Sequence, residues 1–166
     1  MDRVPQKWKI RSATPADVGA VFLLIKALAE YEKLSHQVTG TPAQLEQHLF
    51  GSRPYAEAIV VEIDDKIIGF ALFISNYSTF LTKPGIYLED LFVLPAYRRR
   101  GIGKAILIYL GQLAIERGAG RLEWSVLDWN QSAIDFYQTM GAEVLPDWRI
   151  CRLTGNALEN LAERDD

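Results

Sequence analysis

Ile86-Tyr87-Leu88-Glu89-Asp90-Leu91-Phe92-Val93-Leu94-Pro95-Ala96-Tyr97-Arg98-Arg99-Arg100-Gly101-Ile102-Gly103-Lys104 is the stretch on which the reading of this chain turns. Residues 86–93 are apolar enough for a strand, and Pro95 ends it. Three arginines and a Gly-x-Gly follow, then an amphipathic helix from Ile102 to about 116, with Ile106, Tyr109, Leu110 and Leu113 on its apolar face. Gly118 and Gly120 stop it. A strand that feeds a glycine turn and a helix N-terminus makes an anion site, because free backbone N–H groups and the helix dipole both favour negative charge there. Arg98, Arg99, Arg100, Gly101, Ile102, Gly103 and Lys104 are therefore candidate phosphate contacts. A P-loop is excluded, since Ala105 follows the lysine and position 98 is not glycine. A dinucleotide fingerprint loses its third glycine to Ile106, although Glu123 lies about 20 residues on, where a ribose-binding acid belongs. On these residues alone a dinucleotide, the pyrophosphate of coenzyme A and a solvated surface turn all stay open.

Upstream, residues 8–11 alternate as a strand, and Thr14-Pro15-Ala16-Asp17 signals a helix start. That helix, with Val18, Val21, Phe22, Ile25, Leu28 and Ala29 on one face, is expected to end near Leu34. Thr41-Pro42 opens a second helix to about Phe50. Residues 58–63 and 67–74 form a hairpin about the turn 64–66. Downstream, a strand over 122–127, a helix from Asn130 to Tyr137 ending at Gly141, two short strands around 142–145 and 148–153, and a last helix over 155–163 complete the pattern. Hairpins early and β-α-β-α-β late predict an α+β fold with a mixed, mostly antiparallel central sheet flanked by helices. No repeat or linker divides the chain, so a single domain over 1–166 is expected.

Length and composition agree: 166 residues, 49% apolar and 23% charged, suit a soluble domain with a real core. A net charge of -3 argues against nucleic-acid or anionic-membrane partners. Cys151 has no disulfide partner and is expected to be a buried bystander in a strand, consistent with a reducing compartment. Residues 1–7 lack the apolar core of a signal peptide and no apolar run reaches a membrane span, so a cytoplasmic protein is expected. His36 and His48 have no ligands at metal-binding spacing, and no Gly-x-Ser-x-Gly elbow is present.

Tyr97-Arg98-Arg99-Arg100-Gly101-Ile102-Gly103 resembles the Arg/Gln-x-x-Gly-x-Gly/Ala signature of the GCN5-related N-acetyltransferase (GNAT) superfamily. Val126-Leu127-Asp128-Trp129-Asn130-Gln131-Ser132-Ala133-Ile134-Asp135-Phe136-Tyr137, with Gly141-Ala142 after it and residues 87–93 before it, is similar to the diamine acetyltransferase group of that superfamily. Asn76-Tyr77-Ser78-Thr79-Phe80 and Leu127-Asp128-Trp129-Asn130-Gln131 resemble its thialysine N-epsilon-acetyltransferase branch. Ser78 stands where polyamine acetyltransferases tend to carry an acid, and Arg99-Arg100 replaces a Gly-x pair common in the group.

The resemblance implies an acetyl-CoA-dependent N-acetyltransferase of small diamines or lysine-like amines, acting by direct transfer, in a homodimer. A protein lysine or N-terminal acetyltransferase and a non-catalytic acyl-CoA-binding module are the alternatives. Transfer to an amine requires that an ammonium titrating at about 10.4 lose its proton, that the thioester carbonyl be polarised, and that the departing thiolate receive a proton. The resemblance assigns the last task to Tyr137 and the amine to Glu89. Asp90 would face the other way on a regular strand and reads equally as a solvated charge. Leu91, Phe92 and Val93 would meet the pantetheine arm. Asn130, a natural helix cap, and Ala133 would meet the cofactor as well. Tyr31, Glu32, Asp147 and Trp148 would line the amine pocket, the last two from the same chain or from a dimer partner.

Overall fold

The computed structural model describes residues 7–164, so residues 1–6 of the segment read above for a leader lie outside it. Two compact units are present, one ending at Ser125 and the other beginning at Val126. In the first, β1 (Lys9–Ser12), β2 (Glu57–Ile63), β3 (Lys66–Ser78), β4 (Lys83–Val93) and β5 (Leu122–Trp124) lie side by side in chain order. The first three junctions are antiparallel and β4–β5 is parallel. Parallel neighbours need a crossover, which α3 (Ile102–Glu116) provides.

Val21, Leu24 and Leu28 of α1 (Val18–Tyr31) meet Val60, Phe70 and Phe92 in the core. Their strand neighbours Ile59, Val61 and Ala71 point the other way, yet are buried too. That second face is where Ile102, Ile106, Leu107 and Leu110 of α3 contribute, α3 packing on β4 and β5. Each such aliphatic side chain stabilises the fold by about 1.5–3 kcal/mol when fully buried.

The helix expected from Thr14 starts with a short 3-10 turn over Pro15–Asp17 before α1 proper. The Asp17 carboxylate accepts the Thr14 N–H at 2.8 Å. Arg11 ties it to β2, donating to Asp17 at 2.7 Å and to Glu62 at 2.6 Å. The Arg11 guanidinium holds the Asp17 carboxyl down at about 2. α2 (Pro42–Phe50) opens as read: the Thr41 hydroxyl accepts from the Gln44 N–H at 3.2 Å.

The second unit contains α4 (Gln131–Thr139) and α5 (Gly155–Ala162), and no strand among its described residues. The two closing strands expected around 142–145 and 148–153 are absent there. Their alternation is real, but Val144, Leu145, Trp148, Ile150 and Leu153 are exposed, and a strand exists only where a neighbour takes its N–H and C=O groups. Cys151 is accordingly exposed rather than buried. No helix among the described residues is long and apolar enough to cross a membrane.

Candidate active site

The site begins with an irregularity in β4. Leu72 pairs with Asp90, but the next residue, Phe73, pairs with Leu88, so Glu89 is the extra residue of a β-bulge. The parallel ladder with β5 also ends there, at Leu88 opposite Trp124. Beyond it β4 continues to Val93 against β3 alone. The Leu94 N–H donates to Ile68 O at 2.9 Å, which makes Ile68 and Leu94 a hydrogen-bonded pair. Alternation then makes Gly69–Val93 and Ala71–Leu91 pairs of the other kind, with the N–H and C=O groups of Leu91 and Val93 directed away from β3. Apart from the Val93 carbonyl, which accepts from Arg98 Nε at 2.9 Å, they form a short open edge able to pair with an amide-bearing chain. Phe92 has its backbone committed to β3 and its ring buried, so it contributes packing alone.

The bulge also breaks the alternation expected of Glu89 and Asp90. Asp90, two residues from Phe92 and opposite Leu72, shares the α1 face. Burial, then the charges of Glu89 and Glu32, push its carboxyl up to about 6. Glu32 caps the C-terminal end of α1, and burial raises its carboxyl as well. Glu89 itself is exposed. Asp90 thus lies in the field of Glu89 and of Glu32, a gathering of carboxylates from two elements that favours a cation.

At the other end of the open edge lies the arginine–glycine turn. Gly101 caps α3 in the left-handed conformation, φ 79°, and α3 has no side-chain cap and no acid in its first turn. The first helical bond runs from Ala105 N to Gly101 O, so the N–H groups of Ile102, Gly103 and Lys104 have no partner within the helix. The arginines divide. Arg98 Nε donates to Val93 O at 2.9 Å, and its guanidinium lies over the Tyr31 and Phe92 rings. Arg100 stacks on Tyr97 and donates to Ala96 O at 3.3 Å. Arg99 is exposed and left-handed, φ 61°.

That conformation costs an L-residue about 1 kcal/mol, which glycine escapes. Arg99→Gly is therefore expected to raise the unfolding free energy by up to about 1 kcal/mol while weakening the binding of a pyrophosphate-bearing ligand at the turn about 3–10-fold. Thermal unfolding and calorimetry check both, and unchanged affinity would make Arg99 a solvated bystander.

In the second unit Asn130 caps α4, its Oδ1 accepting from the Ala133 N–H at 3.3 Å. Tyr137, on the same helix, is half-buried with its ring 5.5 Å from Phe136. Asp147 and Trp148 are exposed. Two other sequence features receive structural roles. Glu123 pairs with Arg121 at 2.7 Å and accepts from Asn76 Nδ2 at 3.2 Å, within a mainly antiparallel sheet, which removes the dinucleotide reading. Buried Ser78 accepts the Leu81 N–H at 3.2 Å and closes the β3–β4 turn. A groove of about 560 Å³ beside α1, lined by Arg11, Asp17, Lys66 and Leu94 among others, includes none of the three carboxylates.

Comparison with known proteins identifies the family of the chain that carries this open edge and helix N-terminus. The model of the acetyltransferase (GNAT) family matches residues 24–142. The chain belongs to this family. GNAT enzymes use acetyl-CoA as acyl donor, and this chain is an N-acetyltransferase. It is 36% identical to the L-ornithine N5-acetyltransferase NATA1 of Arabidopsis thaliana, over 91% of this chain and 86% of that protein. It is 38% identical to the thialysine N-epsilon-acetyltransferase of Bos taurus, over 92% and 96% of the two chains. Its GNAT fold matches the solved structure of an integron cassette protein of V. cholerae with a TM-score of 0.78 at 25% identity, over 95% and 98% of the chains.

Proposed function

We propose that this GNAT enzyme transfers acetyl directly from acetyl-CoA to a primary amine of a small diamine or lysine-like substrate. The observation that carries the reading is the gathering of Glu32, Glu89 and Asp90 at the bulge, beside an open strand edge. Names of the relatives support it, since ornithine and thialysine both carry a side-chain amine. The two units form one acetyltransferase domain in this reading, because the family match runs through the boundary between them.

The donor fits the residues present. The outward N–H and C=O of Leu91 and the N–H of Val93 suit the amides of a pantetheine arm, and the N–H groups of Ile102, Gly103 and Lys104, with Arg99, suit its pyrophosphate. When bound, acetyl-CoA supplies an activated acyl group. Glu32, Glu89 and the Tyr31 ring attract the ammonium. Asp90, titrating at about 6, accepts the amine proton at neutral pH. Asn130 and Ala133 contact the cofactor arm, and the Tyr137 hydroxyl protonates the departing thiolate. Asp147 and Trp148 complete the amine pocket in a cytoplasmic homodimer, a state that light scattering checks.

The test is thiol release from acetyl-CoA with diamines, ornithine, thialysine, lysine, polyamines and lysine peptides. Turnover of small amines is expected. Turnover of peptides alone would replace the substrate class, and binding of acetyl-CoA without any turnover would leave a binding module.

A further inference from the structure

Arg98 opens the anion turn, yet its side chain is turned back from it. Nε donates to the carbonyl of Val93, the last outward group of the open edge, at 2.9 Å. The guanidinium lies 4.9 Å from the centre of the Tyr31 ring and 5.2 Å from that of Phe92. Tyr31 is the last residue of α1 and precedes Glu32. Arg98 therefore belongs to the turn by its backbone, while its planar side chain touches the open edge at Val93 and the end of α1 at Tyr31.

We propose that Arg98 is a positioning residue that couples donor binding at the turn to the shape of the amine pocket, an inference that rests on reading Tyr31, Glu32 and Asp90 as that pocket. A guanidinium stacked on an aromatic face and fixed by its own Nε bond has one arrangement and little slack. Movement of the turn as it closes on phosphate is passed to Tyr31. Linkage requires the reverse: a bound amine tightens the hold on the donor by the same factor.

Two measurements test this. The first is calorimetry with coenzyme A, which binds the turn but cannot react, with and without saturating diamine. The wild type is expected to bind coenzyme A about 5-fold more tightly with diamine present. Tyr31→Leu, which removes the ring and leaves Arg98 in place, is expected to show no such gain, whereas Tyr31→Phe keeps it. The second is kinetic. Arg98→Lys preserves the charge but not the planar stack, so acetyl-CoA affinity and kcat should stay within about threefold while the amine KM rises about tenfold. Arg98→Lys placed in a Tyr31→Leu background should raise it no further than Tyr31→Leu alone. Wild-type coenzyme A affinity indifferent to diamine, or multiplying effects of the two substitutions, would overturn the coupling. A wild type that shows the coupling but no turnover would instead overturn the proposed reaction and leave the coupling standing.

Discussion

A Tyr137→Phe enzyme is expected to lose about 100–1000-fold in kcat while binding acetyl-CoA within about threefold of the wild type. The substitution deletes one oxygen. The ring that packs against Phe136 remains, and so does the Tyr137 carbonyl, which accepts the Ala142 N–H at 3.0 Å. Helix α4 and its Asn130 cap are untouched. In the proposed reaction the loss falls on the step that needs a hydroxyl. A thiol titrates at about 8.5, so at neutral pH the leaving thiolate must take a proton as it departs. An interaction made only in the transition state lowers kcat and kcat/KM together. Single-turnover mixing measures chemistry apart from product release, with calorimetry for the donor. An unchanged single-turnover rate at saturating substrates would remove Tyr137 from the reaction. A loss of donor affinity equal to the loss in rate would make it a binding residue instead.

The carboxylates show where sequence reading ran out. Residues 86–93 announced a strand, and Gly101 with Gly103 announced the turn after it. Helix starts at Thr41 and Asn130 were legible because capping is local chemistry: a side-chain oxygen within three residues of the N–H it satisfies. The bulge at Glu89 was not legible. It is a property of pairing with β3, and nothing in Leu88-Glu89-Asp90 says which residue the partner strand will skip. Period-two reasoning therefore sent Asp90 away from Glu89, whereas the structure sets it towards α1 in the field of both Glu89 and Glu32. The packing of Arg98 was out of reach for a similar reason. Its type and place in the signature suggested phosphate, but its stacking partner Tyr31 lies 67 positions earlier, beyond the reach of any motif. The β3–β4 arm also extends beyond the expected strands 67–74 and 86–93, pairing Ser78 with Lys83. At Gly85 a Cβ would meet the side-chain oxygen of Asn76, so the side chain that crosses to Glu123 would have to shift.

Asp90→Asn tests the element that sequence alone missed, and two readouts should move in opposite senses. The carboxyl sits at about 6 in the folded protein against an ordinary 3.8. As a proton acceptor it must be ionised, so kcat/KM of the wild type is expected to fall about tenfold per pH unit below 6. Asn cannot take the proton, so kcat/KM near pH 8 should drop about 100-fold and the limb at 6 should vanish. Stability follows the opposite sign. A carboxyl with a raised folded pKa holds its proton more tightly in the folded state, so its contribution declines as pH rises from 3.8 through 6. At pH 8 the ionised group is half-buried beside two like charges, and Asp90→Asn should raise stability by about 1–3 kcal/mol. A merely structural aspartate would lose stability on replacement, which separates the roles. The substrate amine titrates too, at about 10.4 for a lysine-like ammonium. Acceptors of lower pKa should therefore shift the upper limb of the profile and leave the limb at 6 in place. A lower limb that tracks the acceptor would belong to the amine, and Asp90 would then only attract the ammonium.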